Sequence, residues 1–315
     1  MGTDQVTDST DDSSSQAVSS ATPFRRRRIA RGLVRWTLLP VGMYTAICAV
    51  MMGMETRLLY PGAYSAHAVP MAVDRFEPDG SAADGAADGQ VRPMDYQAPD
   101  GAPLAGRWIT PPDPKRVILF LHGNGIRASE MDGWTRRLSS ALDATVATAE
   151  YRGFQDDDYT PSETSTIEDA VAALDALAER TETERSKIIV YGRSLGGAVA
   201  AGLVAETMRT GDPVETVILD RTFSSVPDVA SQQFWWLPSR YLIRNRYDSV
   251  SRLQSFQGTV IQIHGTPDRI VPMLYGRRLF DSLSTGQKHW IEIPTMYHND
   301  RLPLDVLRQI KPLLP

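Results

Sequence analysis

Residues 188–198, Ile-Ile-Val-Tyr-Gly-Arg-Ser-Leu-Gly-Gly-Ala, constrain this chain more than any other stretch. An apolar strand runs into Gly192-Arg193-Ser194-Leu195-Gly196 and then into a helix rich in small residues. Gly-x-Ser-x-Gly at a strand-to-helix junction is the nucleophile elbow, a sharp turn that lifts the serine hydroxyl clear of the sheet. Glycine at both ends leaves room for the strained turn and for close helix packing. Such a pentapeptide carries meaning only if the rest of the chain supplies the partners a serine nucleophile needs.

The 315 residues allow one large α/β domain or two small ones. A net charge of −5 gives no reason to expect a nucleic-acid partner. A single cysteine, Cys48, excludes an intramolecular disulfide and a cysteine-rich zinc site, and leaves the compartment open.

Residues 1–23 are rich in Ser, Thr and Asp with almost no large apolar side chain, and residues 1–35 are expected to form a disordered, basic tail. Arg25 to Arg28, with Arg31 and Arg35, precede Trp36 to Met54, which is free of charge for 19 residues before Glu55. As a helix this run rises about 28 Å, close to the hydrocarbon thickness of a bilayer. The expectation is an uncleaved membrane anchor over 36–54, with the N-terminus cytoplasmic and the remainder across the membrane. A cleaved signal peptide fits less well, because the apolar run is long and no small-residue cleavage site follows at once. Pro40, Gly42 and Gly53 speak against a buried soluble helix. Residues 55–90 read as a juxtamembrane segment and linker, with Glu77 to Gln90 of low complexity.

A catalytic domain is expected over 91–315. Met94–Gln97 and Leu104–Thr110 flank the turn Ala98-Pro99-Asp100-Gly101 and suggest an opening antiparallel hairpin. Val117–Leu121 is a short continuous apolar run, as in a strand buried on both faces. Thr145–Ala149, Ile188–Tyr191, Thr216–Leu219, Thr259–Ile263 and Trp290–Ile293 read as further strands. Glu130–Leu142 and Ser165–Arg180 carry helical spacing. The alternation predicts an α/β fold, a mostly parallel central sheet with helices on both faces. An irregular insert over 221–256, after the sixth strand, holds Phe234, Trp235, Trp236, Tyr241 and Tyr247. It can be a helix packing its aromatics on the core, or a small lid over an apolar pocket.

A serine hydroxyl needs a base, and the base needs an orienting acid. Of five histidines, His67, His122, His264, His289 and His298, the last lies in a loop beyond the final strand, where ligands gather in open parallel sheets. His122 reads as structural. Asp268, in the loop after Thr259–Ile263, can accept the histidine ring N–H, although a loop aspartate also reads as a turn cap. The order Ser194, Asp268, His298 favours the catalytic reading, and Asp220 is the reserve acid. Oxyanion donors are expected from the backbone N–H groups of Leu195 and of Asn124, the latter in the loop His122-Gly123-Asn124-Gly125. That loop lacks both P-loop and dinucleotide fingerprints.

His-Gly-Asn-Gly at 122–125, Tyr-Arg-Gly-Phe at 151–154, Pro-Ser-Glu at 161–163, Gly-Arg-Ser-Leu-Gly-Gly at 192–197, His-Gly-Thr-Pro-Asp at 264–268 and Tyr-His-Asn-Asp at 297–300 resemble α/β-hydrolases. More narrowly, the chain resembles the membrane-anchored abhydrolase-domain serine hydrolases over roughly residues 90–315 plus the anchor. The resemblance implies Ser194 as nucleophile, Asp268 as acid and His298 as base, on ester, thioester, lipid or peptide substrates. Gln155-Asp156-Asp157-Asp158 departs from the small residues usual there, so specificity carried by that loop does not transfer. The expected activity is a serine hydrolase on carboxylic esters or thioesters, lipid-like acyl groups included, with no cofactor and no metal. The alternatives are a serine aminopeptidase or amidase on the same fold, and a non-catalytic membrane-bound scaffold.

Overall fold

The structure, a computed structural model, describes residues 23–64, 89–155 and 158–315. The expected tail over 1–22, most of the linker, His67 and the Asp156-Asp157 pair lie outside the described residues.

The chain divides into two compact units between Val50 and Met51. Helix α1, Pro23–Leu59, starts inside the stretch expected to be tail. Residues 23–35 are helical because Arg, Ala and Leu, which make up most of them, are good helix formers. Within α1, Leu38–Leu59 has a mean hydropathy of 1.5 and is long and apolar enough to cross a membrane. Leu38, Leu39, Val41 and Met43 are exposed, as a core helix of a soluble protein would not be.

The second unit takes in Met51–Tyr64, which composition alone assigns largely to the juxtamembrane segment. After the end of α1 comes the single turn α2, Pro61–Tyr64. The opening hairpin is β1, Arg92–Gln97, against β2, Pro103–Ile109. There follow β3, Arg116–Leu121; α3, Asp132–Leu142; β4, Ala144–Thr148; α4, Glu163–Thr181; and β5, Ile189–Arg193. Next come α5, Leu195–Thr210; β6, Thr216–Asp220; α6, Val226–Gln233; α7, Ser239–Leu242; and α8, Ser249–Leu253. The chain closes with β7, Thr259–Gly265; α9, Met273–Ser282; β8, Lys288–Ile293; and α10, Leu304–Ile310.

The eight strands form one sheet in the order β1-β2-β4-β3-β5-β6-β7-β8. The β1–β2 and β2–β4 pairings are antiparallel and all others parallel. Period-two alternation sends side chains to two cores, one on each face. Ile118, Phe120, Ile189, Tyr191 and Ile261 pack with Trp134 and Leu138 of α3 and Leu307 of α10. Leu119, Leu121, Val190, Val217 and Val260 pack with Leu174 of α4, Val199 of α5 and Leu279 of α9. Strands buried on both faces explain the unbroken apolar runs of β3 and β6.

The 221–256 insert divides its aromatics. Tyr247 is fully buried, its hydroxyl 2.8 Å from that of Tyr60 and 2.7 Å from Oγ1 of Thr166. Trp235 and Tyr241, at 82% and 89% exposure, face outward. The core-packing reading therefore holds for Tyr247 and fails for Trp235 and Tyr241.

Candidate functional site

Four strands deliver the site at their carboxyl ends, the edge where open parallel sheets bind ligands. Strand β5 ends at Arg193, and Ser194 follows with φ 53° and ψ −120°, a strained backbone for a residue with a side chain. The surroundings hold it there: its N–H donates to the Asp220 carbonyl at 2.9 Å, and its own carbonyl accepts from Thr222 Oγ1 at 2.8 Å. Gly196 is required by close approach. A Cβ there would lie 2.0 Å from the Leu121 carbonyl oxygen at the end of β3.

The three residues singled out by chain order are brought together. His298 Nε2 lies 2.9 Å from Ser194 Oγ, and His298 Nδ1 lies 2.7 Å from Asp268 Oδ2. Asp268 and His298 are nearly buried, at 5% and 7% exposure, so their contact is little screened by solvent. The other oxygen of Asp268 accepts the N–H groups of Ile270 at 3.0 Å and Val271 at 2.8 Å. One oxygen of this aspartate caps the turn while the other meets the histidine ring, so the geometry accommodates both readings. Two backbone donors fix the carboxylate plane, and the plane fixes the imidazole.

Asp220, the reserve acid, is committed elsewhere. Its carboxylate accepts Arg221 Nε at 2.8 Å and Nη2 at 3.0 Å. Burial pushes its pKa up, but the Arg221 guanidinium, with Arg193 and His298, outweighs burial and leaves it below the ordinary aspartate value. Arg221 is the residue that sequence reasoning missed. Its side chain is 1% exposed, and Nη1 donates to the carbonyls of Tyr297 at 3.2 Å, His298 at 2.8 Å and Asp300 at 2.6 Å. Arg193 Nη2 adds a bond to the His298 carbonyl at 3.1 Å. The histidine loop thus hangs on guanidinium groups that end β5 and follow β6. An arginine after Asp220 carries no motif that would have flagged it.

The remaining histidines divide by environment. His122 is fully buried, with Nε2 3.1 Å from Glu150 Oε1 and Nδ1 2.8 Å from the Gly123 carbonyl, in keeping with a structural role for the loop. His264 is buried under Gly276 and stacked on Trp290. Burial holds its pKa below the ordinary histidine value, against the opposing pulls of the Val271 carbonyl and Asp268. His289 sits within β8, away from Ser194 on the far side of β7.

A cleft of about 220 Å³ opens over the serine. Ser194, Leu195 and Asn124 line it, with Phe223, Val226, Val229, Phe234, Leu237 and Ile243 from β6 onward through the insert. Met51, Met52, Leu58 and Leu59 complete the lining from the end of α1. Leu195 opens α5, so its N–H belongs to a helix N-terminus, which favours developing negative charge. A Cβ added at Gly123 would lie 3.6 Å from that of Ser194, so the Asn124 loop runs beside the serine. Among the described residues, no group of three or more His, Cys, Asp or Glu side chains is arranged to hold a metal ion. Such an arrangement can deprotonate a hydroxyl, present it to a carbonyl carbon and offer amides to the oxygen.

A serine on a strand-to-helix elbow, with histidine and aspartate from later loops of a mostly parallel eight-stranded sheet, defines an α/β-hydrolase fold. The chain belongs to the alpha/beta hydrolase family, whose model matches residues 118–309. It is similar to protein Rv2307c of Mycobacterium tuberculosis, 32% identical over 174 residues, which cover 53% of this chain and 60% of the relative. It is also similar to protein bem46 of Schizosaccharomyces pombe, 30% identical over 194 residues, covering 60% of this chain and 63% of that one. The chain therefore spans less than two thirds of the length of these relatives. Among solved structures, an alpha-beta hydrolase from Vibrio vulnificus superposes with a TM-score of 0.60 at 21% identity, covering 71% of this chain and 81% of that one. Carboxyl esterase 2 from Tuber melanosporum superposes with a TM-score of 0.56 at 16% identity, covering 72% and 88%. These likenesses establish the fold.

Proposed function

We propose that the protein is a serine hydrolase that cleaves carboxylic esters or thioesters of apolar acyl groups through an acyl-enzyme on Ser194. The observation that carries this reading is the continuous hydrogen-bonded chain from Asp268 through His298 to Ser194, with Ser194 opening into an apolar cleft. His298 takes the serine proton as Oγ attacks the acyl carbon, and Asp268 holds the tautomer and stabilises the imidazolium. The N–H groups of Leu195 and Asn124 receive the oxyanion of the tetrahedral intermediate. The imidazolium then protonates the leaving alkoxide or thiolate as the C–O or C–S bond breaks. Water, deprotonated by His298, attacks the acyl-enzyme and releases the acid. Every proton in this cycle is carried by the chain's own residues or by water.

The apolar lining supports an apolar acyl group, and the esterase named among the structural neighbours is consistent with an ester. The helix Leu38–Leu59 supports a single membrane span, and the arginines before it support a cytoplasmic N-terminus with the catalytic unit opposite. The test is labelling by a fluorophosphonate probe, expected in the parent and lost in Ser194→Ala, followed by an ester panel graded by acyl length. A folded parent that never labels would remove the hydrolase reading. Equal turnover of short, charged and long-chain esters would remove the apolar preference.

A further inference from the structure

The stretch that follows the charge-free run is packed into the site. Glu55 is 8% exposed although it ends that run. Its Oε1 accepts the N–H of Arg244 at 2.9 Å, the N–H of Asn245 at 2.8 Å and Asn245 Nδ2 at 3.1 Å, and its Oε2 accepts Arg244 Nε at 3.1 Å. One turn further on, the Leu59 carbonyl accepts Asn124 Nδ2 at 2.9 Å. The Gly62 N–H then donates to the Asn124 carbonyl, also at 2.9 Å. Between them Tyr60 is fully buried, with its hydroxyl against that of Tyr247.

We infer that the end of the N-terminal helix and the turn after it, Glu55–Gly62, form a positioning element of the active site: it sets the Asn124 peptide and, with Met51 and Met52, forms the acyl wall of the cleft. The inference rests on the serine-hydrolase reading above. Asn124 lies between Gly123 and Gly125, whose backbones have little side chain to restrain them. Two bonds from one short segment, to its side chain and to its carbonyl, tie both sides of the Asn124 Cα and so direct its N–H. A side chain at Gly62 would press on this loop: a Cβ there would lie 3.0 Å from both the Asn124 carbonyl oxygen and the Ile126 nitrogen. The grip is anchored by the insert through Glu55 rather than by the sheet. One helix end therefore ties together the oxyanion loop, the insert and the substrate wall.

The test uses the full chain in detergent, with a water-soluble short-chain ester and a trifluoromethyl ketone whose tetrahedral adduct requires the oxyanion donors. Removing an oxyanion donor outright costs about 10²–10³-fold in kcat, so a displaced one should cost about 10-fold. Glu55→Ala is expected to lower kcat and ketone affinity together by that factor while KM changes little, the sign of a contact made in the transition state. Glu55→Gln keeps an oxygen in the Oε1 position and should recover most of both. Gly62→Ala, which pushes the loop directly, should reproduce the Glu55→Ala loss. Met52→Ala and Leu59→Ala widen the wall and should move the acyl-length optimum upward. If Glu55→Ala and Gly62→Ala fold as the parent does yet keep kcat and ketone affinity, the inference is overturned. If Glu55→Ala does not fold, the acyl-length profiles decide: profiles unchanged in both wall variants overturn it. A parent that neither labels with fluorophosphonate nor hydrolyses any ester refutes the serine-hydrolase reading instead, which separates the two failures.

Discussion

Arg221→Met is the most informative single substitution. The side chain it replaces neutralises Asp220 and ties down three carbonyls of the histidine loop, those of Tyr297, His298 and Asp300. Methionine fills most of the volume but donates nothing. Asp220, at 0% exposure, would be left without its nearest charge partner, and breaking a buried pair in this way costs about 3–5 kcal/mol. For a unit of this size each kcal/mol is worth about 2–4 °C, so the melting temperature should fall by roughly 6–20 °C. The catalytic effect is separate. A loop released to move His298 by about 1 Å costs about 10²-fold in kcat. Pairing Arg221→Met with Asp220→Asn distinguishes the two, because the double variant removes the uncompensated charge but restores no donor to the loop. Its melting temperature should recover much of the loss while kcat, measured well below that temperature on a soluble ester, stays low. If kcat returned along with stability, the loop would be held by something other than Arg221, and the positioning argument would fail.

Asp268→Asn should keep the Ile270 and Val271 turn bonds yet favour the wrong histidine tautomer, so kcat should drop by about 10⁴-fold with a small change in melting temperature. Gly196→Ala drives a methyl into the Leu121 carbonyl oxygen at 2.0 Å; soluble expression and fluorophosphonate labelling should both fall, and an unaffected variant would contradict the elbow geometry. Asp220 has a depressed pKa in the folded protein, so it contributes stability that is fully present above the unfolded value near 3.9 and is lost as pH falls through the lower folded value. The difference in melting temperature between the parent and Asp220→Asn should therefore be constant near neutrality and shrink only in acid, the parent losing its advantage; a gap that widened on acidification would reverse the assignment.

The strands and the elbow were legible because β3, β5, β6 and β7 are buried on both faces and leave continuous apolar runs. That Ser194, Asp268 and His298 would meet was legible because each follows a strand at the same sheet edge in a fixed order. Arg221 was not, since its work depends on a buried geometry that a lone arginine next to an aspartate does not announce. The part played by Met51–Gly62 was hidden for a different reason. A charge-free run reads as lipid-facing throughout, and Glu55 reads as its boundary, whereas one side of the last turns faces protein and the carboxylate is an internal hydrogen-bond acceptor. The insert resisted reading because aromatic residues bind cores and surfaces alike. Tyr247 went inward and Trp235 and Tyr241 outward within one short stretch.

The Glu55 contact also has a place in time. Glu55 and Arg244 are 189 residues apart in sequence. At a synthesis rate of about 5–20 residues per second, the helix end emerges roughly 10–40 s before its partner exists. Loop closure over so long a span comes late in folding as well, after the local strand and helix pairings that surround it. The wall of the cleft is thus the first part of the site to be made, and it must wait for its anchor before it is seated. A chain trimmed to begin at β1, the natural cut for a soluble preparation, would be held permanently at the step before that seating.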